Sequence, residues 1–204
     1  VVKADGWSAG TASLAGRRPL NSTEERQLLK VARRLVPRDR ALVTAQWLTG
    51  FRISEVLSLK IGSVLRNGVL VEKIGIASRN MKGGYGKTRW VPVLPELQRA
   101  LESYLGWLGR RIILDPNLPL FMSRVSGEEG HAKAIARERA RLIIKGAFAN
   151  AGILDDGRLG TDSLRKTWAR HVWVNSGKDL MILKAALNHR TFLLGDFAAP
   201  ANVW

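Results

Sequence analysis

The sequence predicts a mainly α-helical domain carrying a small antiparallel β-sheet, and two observations decide this. Across most of the 204 residues, apolar side chains recur at three- and four-residue spacing and are bounded by helix-capping residues. One stretch breaks the pattern. Residues 69–77 and 88–93 are rich in Val, Ile and Trp and enclose a glycine-rich segment, 78–87, which is the pattern of two strands joined by a turn.

The elements follow in order. Residues 1–20 are rich in Gly, Ala and Ser and read as a flexible leader or linker end, which leaves 21–204 as one domain. Asn21, Ser22 and Thr23 offer cap oxygens ahead of Glu24 and Glu25, and Leu28, Val31, Ala32 and Leu35 continue at helical spacing, so a helix is expected over 22–36. Pro37 breaks it. A second helix over 39–49 ends at Gly50, where a short helix carrying Arg52 begins. After the two strands, Pro95 opens a helix to 108, a Pro/Asn-containing loop covers 115–119, and a long helix is expected over 131–151. Helices over 161–175 and 178–188, separated by Gly177, complete the fold. The seven tryptophans, among them Trp47, Trp168 and Trp173 on helices, read as core, and no internal repeat is evident.

Charge narrows the partner. Lys and Arg total 33 against 17 Asp and Glu, a formal net charge of +16, which points to a polyanion, most simply nucleic acid. The plain alternative is a basic protein that is merely soluble or sits on anionic lipid. The absence of cysteine excludes disulfides and thiolate metal sites and points to a reducing compartment, here expected to be the cytoplasm at the nucleoid. No apolar run is long enough to span a bilayer, so no membrane partner is expected. Three scattered histidines and no clustered carboxylates speak against a metal-dependent nuclease, and no metal or cofactor is expected. The chain opens on Val1, which reads as a fragment of something longer.

Two arginines stand far apart in helix-forming segments, Arg52 and Arg165. A guanidinium grips two phosphate oxygens at once and stays protonated at any working pH, so a converging pair suits a crowded phosphodiester. Between them, Arg79, Lys82, Lys87 and Arg89 bring four positive charges and no acid to the hairpin, which suits phosphate contact, although exposed turns also carry lysines for solubility. The 131–151 helix adds Lys133, Arg137, Arg139, Arg141 and Lys145 against Glu138. That face is either solvated or tracks a duplex backbone, with Arg137, Arg141 and Lys145 as contacts, while Ile135, Leu142, Ile143 and Phe148 are available to the core.

Four motifs carry a resemblance. Thr49-Gly50-Phe51-Arg52-Ile53-Ser54-Glu55-Val56-Leu57-Ser58-Leu59 resembles the first arginine motif of the tyrosine recombinase (phage integrase) family, and Thr88-Arg89-Trp90-Val91-Pro92-Val93 the strand after its catalytic lysine. Gly160-Thr161-Asp162-Ser163-Leu164-Arg165-Lys166-Thr167-Trp168-Ala169 resembles its second arginine motif, and Ala186-Leu187-Asn188-His189 its final histidine motif. The resemblance implies the tyrosine recombinase catalytic-domain fold and a site-specific recombinase or integrase of a mobile element. Such enzymes cleave and rejoin DNA strands through a phosphotyrosine, with no metal or nucleotide cofactor. It implies that Arg52 and Arg165 bind the scissile phosphate, that Glu55 steadies Arg52, that Lys82 in preference to Lys87 protonates the departing 5′ oxygen, and that His189 donates to a non-bridging oxygen. An N-terminal core-binding domain would belong to the intact protein, a monomer in isolation and a homo-tetramer on DNA. His131 and His171 lack such context and read as surface or helix-packing residues.

Two positions depart from the family pattern. Asp162 stands where the family has histidine; it reads equally as a base or, with Thr161, as a helix cap. The nucleophilic tyrosine is missing. Phe197, eight residues after His189 and one short of the family's interval, keeps the ring without the hydroxyl, while Tyr85 lies in the hairpin turn and Tyr104 on a helix expected to bury it. The chain is thus either a recombinase whose nucleophile has been replaced or a non-catalytic DNA-binding accessory or regulator derived from one. A generic basic nucleic-acid binder with accidental matches is the third reading.

Overall fold

A computed structural model describes residues 16–81, 88–123 and 133–188. Its first helix, α1 (Ser22–Ala32), starts where the side chain of Asn21 accepts from the Thr23 and Glu24 N–H groups, and the Glu24 carboxylate accepts in turn from the Asn21 N–H at 2.8 Å. The helix ends four residues before the expected 36, because Pro37 acts as a starter and the chain needs a turn ahead of it. Pro37 occupies the first turn of α2 (Pro37–Thr49), where a missing N–H leaves no hydrogen bond unmade. Residues Ala41 to Trp47 of α2 are all buried, so it is the central helix, packed against α4 (Pro95–Gly109), α5 (Arg137–Asn150) and α6 (Thr161–Asn175).

The last residues of the 1–20 segment are packed on the domain. Residues 17–20 dock on the loop before α6 and on α6 itself. Leu20 is fully buried and its N–H donates to the Thr167 hydroxyl at 2.8 Å, while Arg18 bridges Glu24 at 2.7 Å and Asp156 at 2.9 Å.

The expected strand over 69–77 is two. Leu65–Arg66 (β1) pairs with Val69–Leu70 (β2) across Asn67-Gly68, both at positive φ as a two-residue I′-type turn requires. Lys73–Ile76 (β3) pairs antiparallel with Arg89–Pro92 (β4), with Gly75 opposite Trp90. A Cβ at Gly75 would lie 2.8 Å from the Trp90 ring, so glycine lets the indole lie flat on the sheet. The long helix is also shorter than read. α5 begins at Arg137, and Ala134 forms an isolated bridge to Met122, so Ile135 reaches the core from extended chain, and Leu142 faces outward, not into the core. Asp179 caps α7 (Leu180–Leu187), accepting from the Met181 N–H at 2.7 Å. In the main core Tyr104 stacks on Phe121 and its hydroxyl donates to the Leu120 carbonyl at 2.9 Å.

Glu96, at the start of α4, accepts from Arg33, Arg40 and Arg99 and so ties α1 and α2 to α4. Hydrogen bonds from Arg33 and then Arg99 hold its carboxyl down to about 2. A depressed carboxyl stabilises the fold above its unfolded value near 4.5 and loses that contribution as pH falls through about 2. Arg33 and Arg99 are more than half exposed, so screening limits the effect. Glu96→Gln is expected to cost about 1 kcal/mol at pH 7. In urea titrations the gap between the two proteins should close between pH 4.5 and 2; a gap independent of pH would refute the ionic account.

Candidate functional site

The C-terminus of α2 leaves backbone carbonyls without intrahelical partners, at the negative end of the helix dipole. Gly50, at φ +59, turns the chain out of the helix there. The Gln46 side chain fixes the turn by donating to the Phe51 carbonyl at 2.8 Å. Arg52 then precedes α3 (Ile53–Leu57), whose Glu55 carboxylate bends back to accept from the Arg52 N–H at 2.7 Å and from Arg52 Nη1 at 3.1 Å.

Two more guanidiniums converge on Glu55, which is 1% exposed. Nη1 of Arg165, from α6, and Nη1 of Arg89, from β4, each lie 3.8 Å from its Oε2. Arg165 also donates to the Gly50 carbonyl and, at 3.0 Å, to the Leu187 carbonyl at the end of α7. It therefore spans two helix C-termini, each favouring a cation. Arg89 donates to the Thr49 carbonyl at 2.6 Å and the Gly50 carbonyl at 3.4 Å.

Burial and mutual repulsion load this cluster. Arg165 is pushed down to about 10, by burial first and then by Arg52, with Glu55 and Asp162 opposing; Arg89 is pushed down to about 9, by burial and then Arg165. Both values lie well above neutral pH, and a single carboxylate shared by three guanidiniums leaves a positive excess. Arg52 is the outlet of that excess, with its side chain 31% exposed against 6% and 9% for the others. A cleft of about 420 Å³ opens alongside, lined by Thr88, Arg89, Trp90, Trp168, Ala185 and Asn188 among others.

Sequence positions far apart thus meet, Arg52 and Arg165 on one carboxylate. Asp162 sits exposed in the first turn of α6 and supports the charge of Arg165. Neither it nor Thr161 is the cap: Gly160 precedes the helix, and its N–H donates to the Ser163 hydroxyl at 3.1 Å. Arg89, read as a DNA contact, is turned inward by the alternation of β4 and is only 7% exposed. Arg79 and Arg137 are exposed, Arg141 pairs with Glu138 at 2.9 Å and Lys145 with Asp155 at 3.0 Å, all at the surface. Tyr104 is buried as expected, and His171 approaches Glu25 at 2.6 Å. Lys82, Lys87, His189 and Phe197, with Tyr85 and His131, lie outside the described residues. The residues just before Lys82 and His189 touch: Asn188 Nδ2 is 3.0 Å from Met81 Sδ. Sequence reasoning missed Gln46, which also donates to the Thr161 carbonyl at 3.3 Å and so links the two arginine segments; a glutamine inside an apolar helix was its only signal. Among the described residues no group of three or more His, Cys, Asp or Glu could hold a metal, and no helix is long and apolar enough to cross a membrane.

The fold is that of tyrosine recombinase catalytic domains. The XerA recombinase structure superposes with a TM-score of 0.68 at 23% identity, covering 90% of this chain and 58% of that one. XerH site-specific recombinase bound to difH substrate gives 0.65 at 21% identity, over 85% and 48%. The profile of the phage integrase family matches residues 18–192, and the chain belongs to that family. Among curated relatives, tyrosine recombinase XerD of Haemophilus ducreyi is 34% identical over 155 residues, 74% of this chain and 46% of the relative. XerD of Xanthomonas axonopodis pv. citri is 32% identical over 158 residues, 74% and 47%. The chain spans about half the length of the curated relatives it matches.

Proposed function

We propose that the chain is the catalytic domain of a site-specific DNA recombinase or integrase, with Arg52 and Arg165 gripping one phosphate of duplex DNA. The observation that carries this reading is the meeting of both arginines on the buried Glu55 carboxylate, with positive charge in excess and Arg52 facing out. Phosphate oxygens would accept from both guanidiniums and relieve the repulsion that burial concentrates there. Lys82 serves as proton donor to the departing 5′ oxygen and His189 as donor to a non-bridging oxygen, on the family pattern. Arg79, Arg137, Arg141 and Lys145 add backbone contacts that place the duplex without reading its sequence. Within a longer protein the domain works as a tetramer on DNA, and its setting is the nucleoid.

A second reading is favoured by Asp162, which stands where the family has histidine, and by the lack of a tyrosine near its nucleophile position, where Phe197 lies one residue short of the family interval. On it the same clamp holds DNA without cutting, and the protein occupies recombination sites as an accessory factor.

Both readings require salt-sensitive binding. Duplex affinity should fall with a log-log slope of about −0.9 for each phosphate neutralised, and Arg52→Ala should lower that slope by about one contact. Arg52→Lys and Arg165→Lys keep the charge but lose the planar two-pronged contact, so each should weaken binding about tenfold at fixed salt. Binding that ignores salt, or lysine variants that bind as the parent does, would refute the clamp.

A further inference from the structure

We propose that Arg89 is a positioning residue, a guanidinium that locks Arg52 and Arg165 in register while itself touching no DNA. The proposal rests on the phosphate-gripping reading above. The Arg89 guanidinium carbon lies 4.8 Å from the centre of the Phe51 ring and 5.0 Å from that of Trp168. Phe51 is the residue before Arg52, and Trp168 lies three residues, nearly one helical turn, after Arg165. One flat cation is therefore packed against a ring from each arginine motif.

Its edge repeats the arrangement. Arg89 donates to the Thr49 carbonyl at 2.6 Å and to the Gly50 carbonyl at 3.4 Å, and the Gly50 carbonyl is also an acceptor for Arg165. Its Nη1 lies 3.8 Å from Oε2 of Glu55, the carboxylate that holds Arg52. Each of these partners thus lies within three residues of Arg52 in the chain, and Gly50 and Glu55 also bond a clamp arginine directly. Only arginine combines faces that stack with an edge that donates several hydrogen bonds; an ammonium is a point donor on a flexible stem. Its faces are covered by Phe51 and Trp168 and its edge is taken by carbonyls, so Arg89 reaches a phosphate only if those rings unpack.

The test measures duplex binding against salt for the parent, Arg89→Lys, Arg89→Met and Arg52→Ala, and for Arg89→Lys combined with Arg52→Ala. Both Arg89 variants are expected to bind about tenfold more weakly at fixed salt with the parent's slope, and the loss from Arg89→Lys should shrink to about twofold without Arg52, since no pair is left to align. Circular dichroism and a thermal melt confirm the fold; if Arg89→Met does not fold, Arg89→Lys, which keeps the charge, carries the test. A slope reduced by about 0.9 in either Arg89 variant would make Arg89 itself a phosphate contact and overturn the proposal. Unchanged affinity, or a loss equally large without Arg52, would overturn it too. Salt-independent binding by the parent protein would instead remove the phosphate reading, and the positioning role with it.

Discussion

As written, the chain should form no covalent bond to DNA, and two restored side chains should create one. The only aromatic group near the family's nucleophile position is Phe197, which has no hydroxyl to attack phosphorus, and Tyr104 is buried with its hydroxyl committed to the Leu120 carbonyl. Asp162 adds a second obstacle. Its charge supports Arg165, so it takes up part of the field that phosphate would use, and it repels a phosphate directly. Phe197→Tyr with Asp162→His removes both obstacles and should give a protein–DNA adduct on a nicked suicide substrate of the cognate site, where the parent gives none. Because Phe197 lies one residue short of the family interval, Ala198→Tyr with Asp162→His tests the register. An adduct formed by the unmodified chain would show that another residue is the nucleophile. If neither repaired chain reacted, the accessory DNA-binding reading would stand.

The largest loss of stability is expected from Gly50→Ala. At φ +59 any Cβ is strained, and here it would also lie 2.3 Å from Cε3 of Trp168. The indole cannot retreat freely, because the Arg89 guanidinium and the cluster of Ala169, Leu183 and Leu187 also pack against it. Strain and overpacking together should cost about 3 kcal/mol, or roughly 6–12 °C in Tm for a domain of this size. Gly152→Ala separates the two contributions. Gly152 has φ +66 with nothing within 4 Å of its Cβ position, so its loss should be limited to about 1–2 kcal/mol. Equal losses at the two sites would show that the Trp168 contact contributes nothing.

The helices are legible because capping residues and apolar spacing are local signals; the expected bounds match α4 to within a residue and α6 to the residue. Elsewhere two local signals compete. Pro37 breaks one helix but also starts the next, and Asn67-Gly68, a strong hairpin signal, immediately precedes the Val/Ile-rich stretch and splits off its first strand. Residues 133–135 of the expected long helix are extended because they pair with the chain at 121–123, a partner that no window around residue 135 reveals. At the site, residue types were legible and directions were not. Arg79 and Arg89 are equally basic neighbours of the same hairpin, yet one is exposed and the other is packed between rings contributed from residues 51 and 168. Only the tertiary fold distinguishes them.

Arg165 takes one acceptor from residue 50 and another from residue 187, which bears on how the protein is made. During synthesis the first arginine segment leaves the ribosome well over a hundred residues before the second acceptor exists. The long loop from Gly50 can close as soon as Arg165 has emerged, but until residue 187 follows the guanidinium lacks one of its two carbonyls. A nascent chain therefore holds Arg165 from one side first, and the second helix end completes its setting afterwards.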